Sequence, residues 1–185
     1  MDPPVTTQDF LRLVDDAHAE MRAAIAAIPE DTLTTPGTLG EWSARDVIAH
    51  VGADEMWMAG QLEALQAGEQ PTALSCYGSD EPLPEGADLI TQDGRNAWQR
   101  ERLRGLSLDE VRGKAAEGHA RLIAVIESFS DKQLAEELAI ANLGTQGWMR
   151  RPQAGESGWA LWEWLRGVTY HHYADHTEAL RALQE

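Results

Sequence analysis

The stretch Trp42-Ser43-Ala44-Arg45-Asp46-Val47-Ile48-Ala49-His50-Val51 carries its own helix start. The Ser43 hydroxyl suits the amides of a first helical turn, and Asp46 stands at the third helical position to complete a capping box. Trp42 can staple onto Val47 from outside the cap. Beyond it Val47, Val51, Met58, Leu62 and Leu65 recur at helical spacing, which predicts a helix to about Ala67 that stops at Gly68.

The flanks read the same way. Phe10, Leu13, Val14, Ala17, Met21, Ala24, Ile25 and Ile28 form one stripe, predicting a first helix over Thr7–Ile28 with Thr6 and Asp9 as its cap and Pro29 as its end. A loop is predicted from Glu69 to Gly86, rich in Pro71, Pro82, Pro84 and glycine, followed by a shorter helix over Leu89–Arg104. Ser107 with Glu110 is a second capping box, and Leu106 can staple onto Val111, so another long helix is predicted to reach Ser128. Ser130 with Gln133 predicts a short helical turn. A second loop is expected over Asn142–Gly158, carrying Arg150, Arg151 and Pro152. A last helix is expected from about Trp159 to Leu183. β-branched alternating runs are absent. Four main amphipathic helices predict an all-α four-helix bundle with a long loop and short extra helices, one domain over residues 1–185.

Composition narrows the function classes. The 185 residues are 43% hydrophobic and 25% charged, enough for a core without disulfides, and Cys76 is the only cysteine. The net charge is −16 and the only lysines are Lys114 and Lys132. Such a field repels phosphate backbones and anionic lipid, so neither nucleic acid nor membrane is expected as a partner. No apolar run is long enough to span a bilayer, and no signal peptide opens the chain. A small-molecule substrate and a cytoplasmic setting are the expectation.

Six histidines are present, and direction matters more than number. On the last helix, Leu161, Leu165, Val168, Ala179 and Leu183 define the inward stripe. His172 lies on that stripe, His176 near it, and His171 turns away toward solvent. On the second helix His50, Asp54 and Gln61 lie on or beside the inward arc. Two imidazoles in a dry interior need partners, since a buried unsatisfied polar group costs roughly 1–3 kcal/mol. Three imidazoles from two packed helices suit a facial metal site of the kind catalytic zinc uses, and iron or nickel as well. A hydrogen-bonded core network fits the same spacing. Asp54, one turn from His50, suits a ligand, a general base, an orienting group or a plain polar partner. His119 reads as structural, as do Trp57, Trp159 and Trp162 on the bundle faces, while Arg150 and Arg151 read as solvated loop.

The segment Glu41–His50 and the ending Thr169-Tyr170-His171-His172-Tyr173-Ala174-Asp175-His176 resemble the signature of the DinB-like superfamily. Leu106-Ser107-Leu108-Asp109-Glu110-Val111 is similar to the branch of DfsB/ClbS-like proteins. The mycothiol-dependent maleylpyruvate isomerase N-terminal domain belongs to the same superfamily. The resemblance implies an up-down-down-up bundle, often a homodimer, holding a divalent metal (Zn, Ni or Fe) on His50, His172 and His176. It also implies a metal-dependent transferase or isomerase using mycothiol, bacillithiol or another low-molecular-weight thiol. For such an enzyme Asp54, from its place one turn from His50, is the candidate catalytic residue, with a nearby tyrosine as the other candidate for handling a proton. The alternative it carries is a non-catalytic small-molecule binding, sequestering or self-protection protein of the DfsB/ClbS-like type.

Overall fold

The computed structural model describes residues 6–69, 92–138 and 159–184. Its elements are α1 (Thr7–Ala26), α2 (Glu30–Leu33), α3 (Ala44–Gln66), α4 (Gln92–Leu103), α5 (Leu108–Glu127), α6 (Asp131–Ala135), α7 (Leu161–Leu165) and α8 (Tyr170–Arg181). Strands β1 (Glu137–Leu138) and β2 (Trp159–Ala160) form one short antiparallel pair. The predicted loops, with Cys76, Arg150, Arg151 and Pro152, lie outside the described residues apart from Glu69.

The caps form as their chemistry requires. Asp9, Asp46, Glu110 and Gln133 each donate a backbone N–H to the hydroxyl three residues earlier, on Thr6, Ser43, Ser107 and Ser130. At Ser43, Ser107 and Ser130 the acidic or amide side chain returns the bond, completing three capping boxes. Gly68, at φ +70°, takes the left-handed conformation that ends α3.

Side-chain contacts fix the topology. Along α3 and α5, Gly52 meets Ala115, Glu55 meets His119, and Gln66 meets Ser128, so residue numbers rise together and the helices run parallel. Phe10 on Tyr170, His18 on Tyr173 and Glu20 on Arg181 make α1 parallel to α8. Thr7 bonds the Phe129 carbonyl while His18 stacks on His119, so α1 and α5 are antiparallel. The result is an all-α, up-down-down-up four-helix bundle. A parallel neighbour cannot be reached through a short turn, which is why α3 and α5 are separated by a long connection and α4.

α3 is buried nearly all round, with Val47, Val51, Trp57, Met58, Ala59 and Leu62 at 3% exposure or less. A helix buried on every side is a central one. Phe10, Val14, Leu122, Ile126, Leu165, Tyr173 and Leu180 close the core around it, each large side chain contributing about 1.5–3 kcal/mol by burial. Among the described residues no helix is long and apolar enough to cross a membrane.

Two expectations change. The last helix is not continuous: turn backbone at Arg166–Thr169 separates α7 from α8, and Thr169 takes φ −117° and ψ −115°. Gly167 with the β-branched pair Val168 and Thr169 is poor helix material, and the Thr169 hydroxyl donates back to the Leu165 carbonyl. In consequence the driest face of α8 belongs to Tyr173, Thr177 and Leu180, at 0–2% exposure. His172 and His176 sit at its border, half-buried. The second change is α2, four residues held between Pro29 and Thr34, which has too little periodicity to be read from sequence.

Candidate metal centre

α3 and α8 bring His50, His172 and His176 to one point. The Nε2 atoms of His50 and His172 are 3.1 Å apart, and those of His172 and His176 are 2.9 Å apart. The rings meet at 61–89° rather than stacking, so their in-plane lone pairs converge. Zinc–nitrogen bonds of about 2.0–2.1 Å would place tetrahedral ligand atoms roughly 3.3 Å apart, close to this spacing. His171, the neighbour on α8, is exposed as the helical wheel requires.

The hydrogen-bond pattern leaves these nitrogens short of protons. Asp54 accepts from the Gln99 amide, Nε2 to Oδ1, at 2.7 Å. That contact orients the Gln99 oxygen toward His50, where it accepts from Nδ1–H at 2.9 Å. A neutral imidazole has one N–H. His50 spends it on Gln99 and presents a bare Nε2 to the centre. His172 then has two Nε2 neighbours and at most one proton to place between them, and its own Nδ1 is buried without a hydrogen-bond partner among the described residues. One proton on His172 Nε2 cannot point squarely at both neighbours, whereas a cation would accept all three lone pairs. The three histidines are accordingly a group that could hold a metal ion.

The electrostatics disfavour protonation of the two rings of α8. Burial holds the His176 imidazole down to about 3, with His172 and His50 adding to the effect. Burial lowers His172 as well; Asp54 opposes it and His50 reinforces it. Asp54 lies beside the triad, its Oδ2 3.6 Å from His50 Nε2 and 4.0 Å from His172 Nε2.

Gln99 is the residue that sequence reasoning misses. It is 2% exposed on α4 and links His50 to Asp54, yet nothing in its local sequence marks a glutamine of that helix as inward. Trp42 sets its ring edge-on to His50, with centroids 5.1 Å apart, and shields that side. Trp57 is core, edge-on to Trp164, and Gln61 is fully buried. His119 bonds Glu55, Nδ1 to Oε1, at 2.7 Å. Between α3, α4 and α5 lies a cavity of about 270 Å³, lined by Ala49, Ala53, Trp98, Gln99, Arg102 and Lys114 among others. Gln99 is thus the wall between this cavity and the triad.

A family model described as the DinB superfamily matches residues 13–180. The chain belongs to the DinB superfamily. Solved structures agree on the fold. One is an uncharacterised protein from Escherichia coli UTI89, with TM-score 0.70 and 15% identity over 97% of this chain and 93% of the other. Another is the colibactin self-resistance protein ClbS in complex with a dsDNA, with TM-score 0.68 and 13% identity over 100% of this chain and 98% of that one. No curated protein matches the sequence significantly. The ClbS complex corrects one expectation. A net charge of −16 predicts no nucleic-acid partner, but a protein of this DinB-like fold has been crystallised with duplex DNA. Net charge sums over the whole surface and says nothing of where the cations sit; here Arg102, Lys114 and Arg121 gather at one cavity.

Proposed function

We propose that this DinB-superfamily protein holds a divalent metal ion (zinc, nickel or iron) on His50, His172 and His176, and uses it in a transferase or isomerase reaction that depends on a low-molecular-weight thiol. The observation that carries this reading is the convergence of three imidazole Nε2 atoms, that of His172 lying 3.1 Å from His50 and 2.9 Å from His176. A bound divalent ion supplies positive charge that makes a thiol or a water acidic near neutral pH. The chain's own residues do the rest. Gln99 fixes the tautomer of His50 and anchors Asp54 Oδ1. Asp54 Oδ2 then faces the centre, placed to accept the proton of an incoming thiol. The cavity beyond Gln99 offers apolar walls from Ala49 and Ala53 and cationic ones from Arg102 and Lys114, room for part of a small substrate.

The test is elemental analysis of protein purified without a histidine tag, beside His172→Ala. Near-stoichiometric metal in the parent and loss of it in the variant is the expected result. Metal content unchanged by His172→Ala would rule out this site.

The likeness to ClbS favours a second reading, a non-catalytic protein that binds and sequesters a small reactive molecule or protects its host. Thermal-shift screening against thiols and electrophiles, with product detection, separates the two. Saturable binding without product under any of the three metals favours the second.

A further inference from the structure

Apart from the triad, His18 of α1, Glu55 of α3 and His119 of α5 each bring a ligand-type atom within 4.8 Å of the others. We propose that these three residues form a second divalent-cation site, independent of the first and suited to zinc-like ions. Two imidazoles and one carboxylate are a ligand set that zinc takes when a position is left open.

Several independent features of the cluster support this assignment. Glu55 is 1% exposed, and its bonded partners are His119, Nδ1 to Oε1 at 2.7 Å, and the Tyr173 hydroxyl. A buried carboxylate with no guanidinium or ammonium bonded to it among the described residues is costly unless a positive charge compensates it. Asp15 also acts on Tyr173, adding negative field, against which Arg22 acts on His18. Burial keeps His18 deprotonated at neutral pH, down to about 4, so its lone pair is open to an ion. The access side is the imidazole side: His18 is half-buried and the His119 side chain is 17% exposed.

The backbone holds this set together. α3 and α5 approach so closely at Gly52, Ala115 and Gly118 that a Cβ on Gly118 would lie 2.5 Å from the Gly52 carbonyl oxygen. That crossing brings Glu55 under His119. Tyr173 presses on both rings, at 5.4 and 6.4 Å between centroids. The rings of His18 and His119 stack at 3.6 Å and 15°. Parallel rings cannot aim two in-plane lone pairs at one ion, so binding requires His18 to turn out of the stack toward its open side.

Equilibrium dialysis of metal-stripped, tag-free protein against Zn²⁺ and Co²⁺ tests the inference. The expected result is two ions per chain, falling to one in His172→Ala, to one in His119→Ala and to none in the double variant. His18→Asn spares the Glu55–His119 bond and provides the control for folding, checked by circular dichroism; it too is expected to lose one ion. If the first site fails and this one stands, the parent binds one ion, lost in His119→Ala and His18→Asn but kept in His172→Ala. A folded His18→Asn variant that binds as many ions as the parent overturns the proposal.

Discussion

Gln99 decides which nitrogen of His50 faces the centre, because its amide is itself oriented by Asp54. Gln99→Leu removes both bonds and leaves the ligands in place. Metal affinity is expected to fall about 10–100-fold, as for other groups that orient ligands, measured by competition with a chromophoric chelator. An unchanged affinity would show that His50 is oriented by packing alone. The histidines also set a pH dependence for the metal-free protein. An unfolded chain titrates near 6.5, whereas His176 is held down to about 3 and His18 to about 4, burial being the first cause for both. Between those values the unfolded state binds more protons, so stability is full above about pH 6.5 and is lost as pH falls toward 3–4. The melting temperature is expected to drop steadily from pH 7 to 4.5, and less steeply in His176→Asn. A flat profile would contradict the burial of these rings.

At the level of elements, the crossing of α3 and α5 dominates. Gly118→Ala improves helix propensity by about 1 kcal/mol, but the new methyl meets backbone, the Gly52 carbonyl, at 2.5 Å. Overpacking typically costs 1–3 kcal/mol and backbone cannot swing aside as a side chain does. The net expectation is a melting temperature lower by several degrees, checked by thermal denaturation; a rise would mean that the helices separate freely. Ser107→Ala gives a contrasting, milder case. It removes a capping box on the exposed end of α5 and is expected to cost about 1 kcal/mol, or roughly 2–4 °C in a chain of this size.

For the whole molecule the stake is linkage between metal and fold. The triad joins α3 to α8, on opposite strands of the chain's connectivity, so an ion there binds the folded state and not the unfolded one. At an ion concentration 100 times its dissociation constant the stabilisation is about 2.7 kcal/mol, or roughly 5–10 °C. A chelator is expected to lower the melting temperature of the parent by that amount more than it lowers that of His172→Ala, which keeps only the second site. Equal sensitivity in both would place the ion elsewhere.

Much of this was legible in the chain. Helix starts at Ser43 and Ser107 are written locally, because a cap needs only a hydroxyl and an acidic residue three positions on. The all-α class follows from periodicity, and His50, His172 and His176 could be singled out because polar residues beside an apolar stripe stand out. The break at Arg166–Thr169 was not legible, since weak helix formers break a helix only when packing favours it. Nor were Gln99 and the cluster of His18, Glu55 and His119, whose members come from different helices. Sequence order alone determined where the long helices α1, α3 and α5 run and which residues they bury. Which side chains meet was decided by the crossing angles and the Gly52–Gly118 contact, because distances between atoms far apart in the chain are set only when whole helices pack.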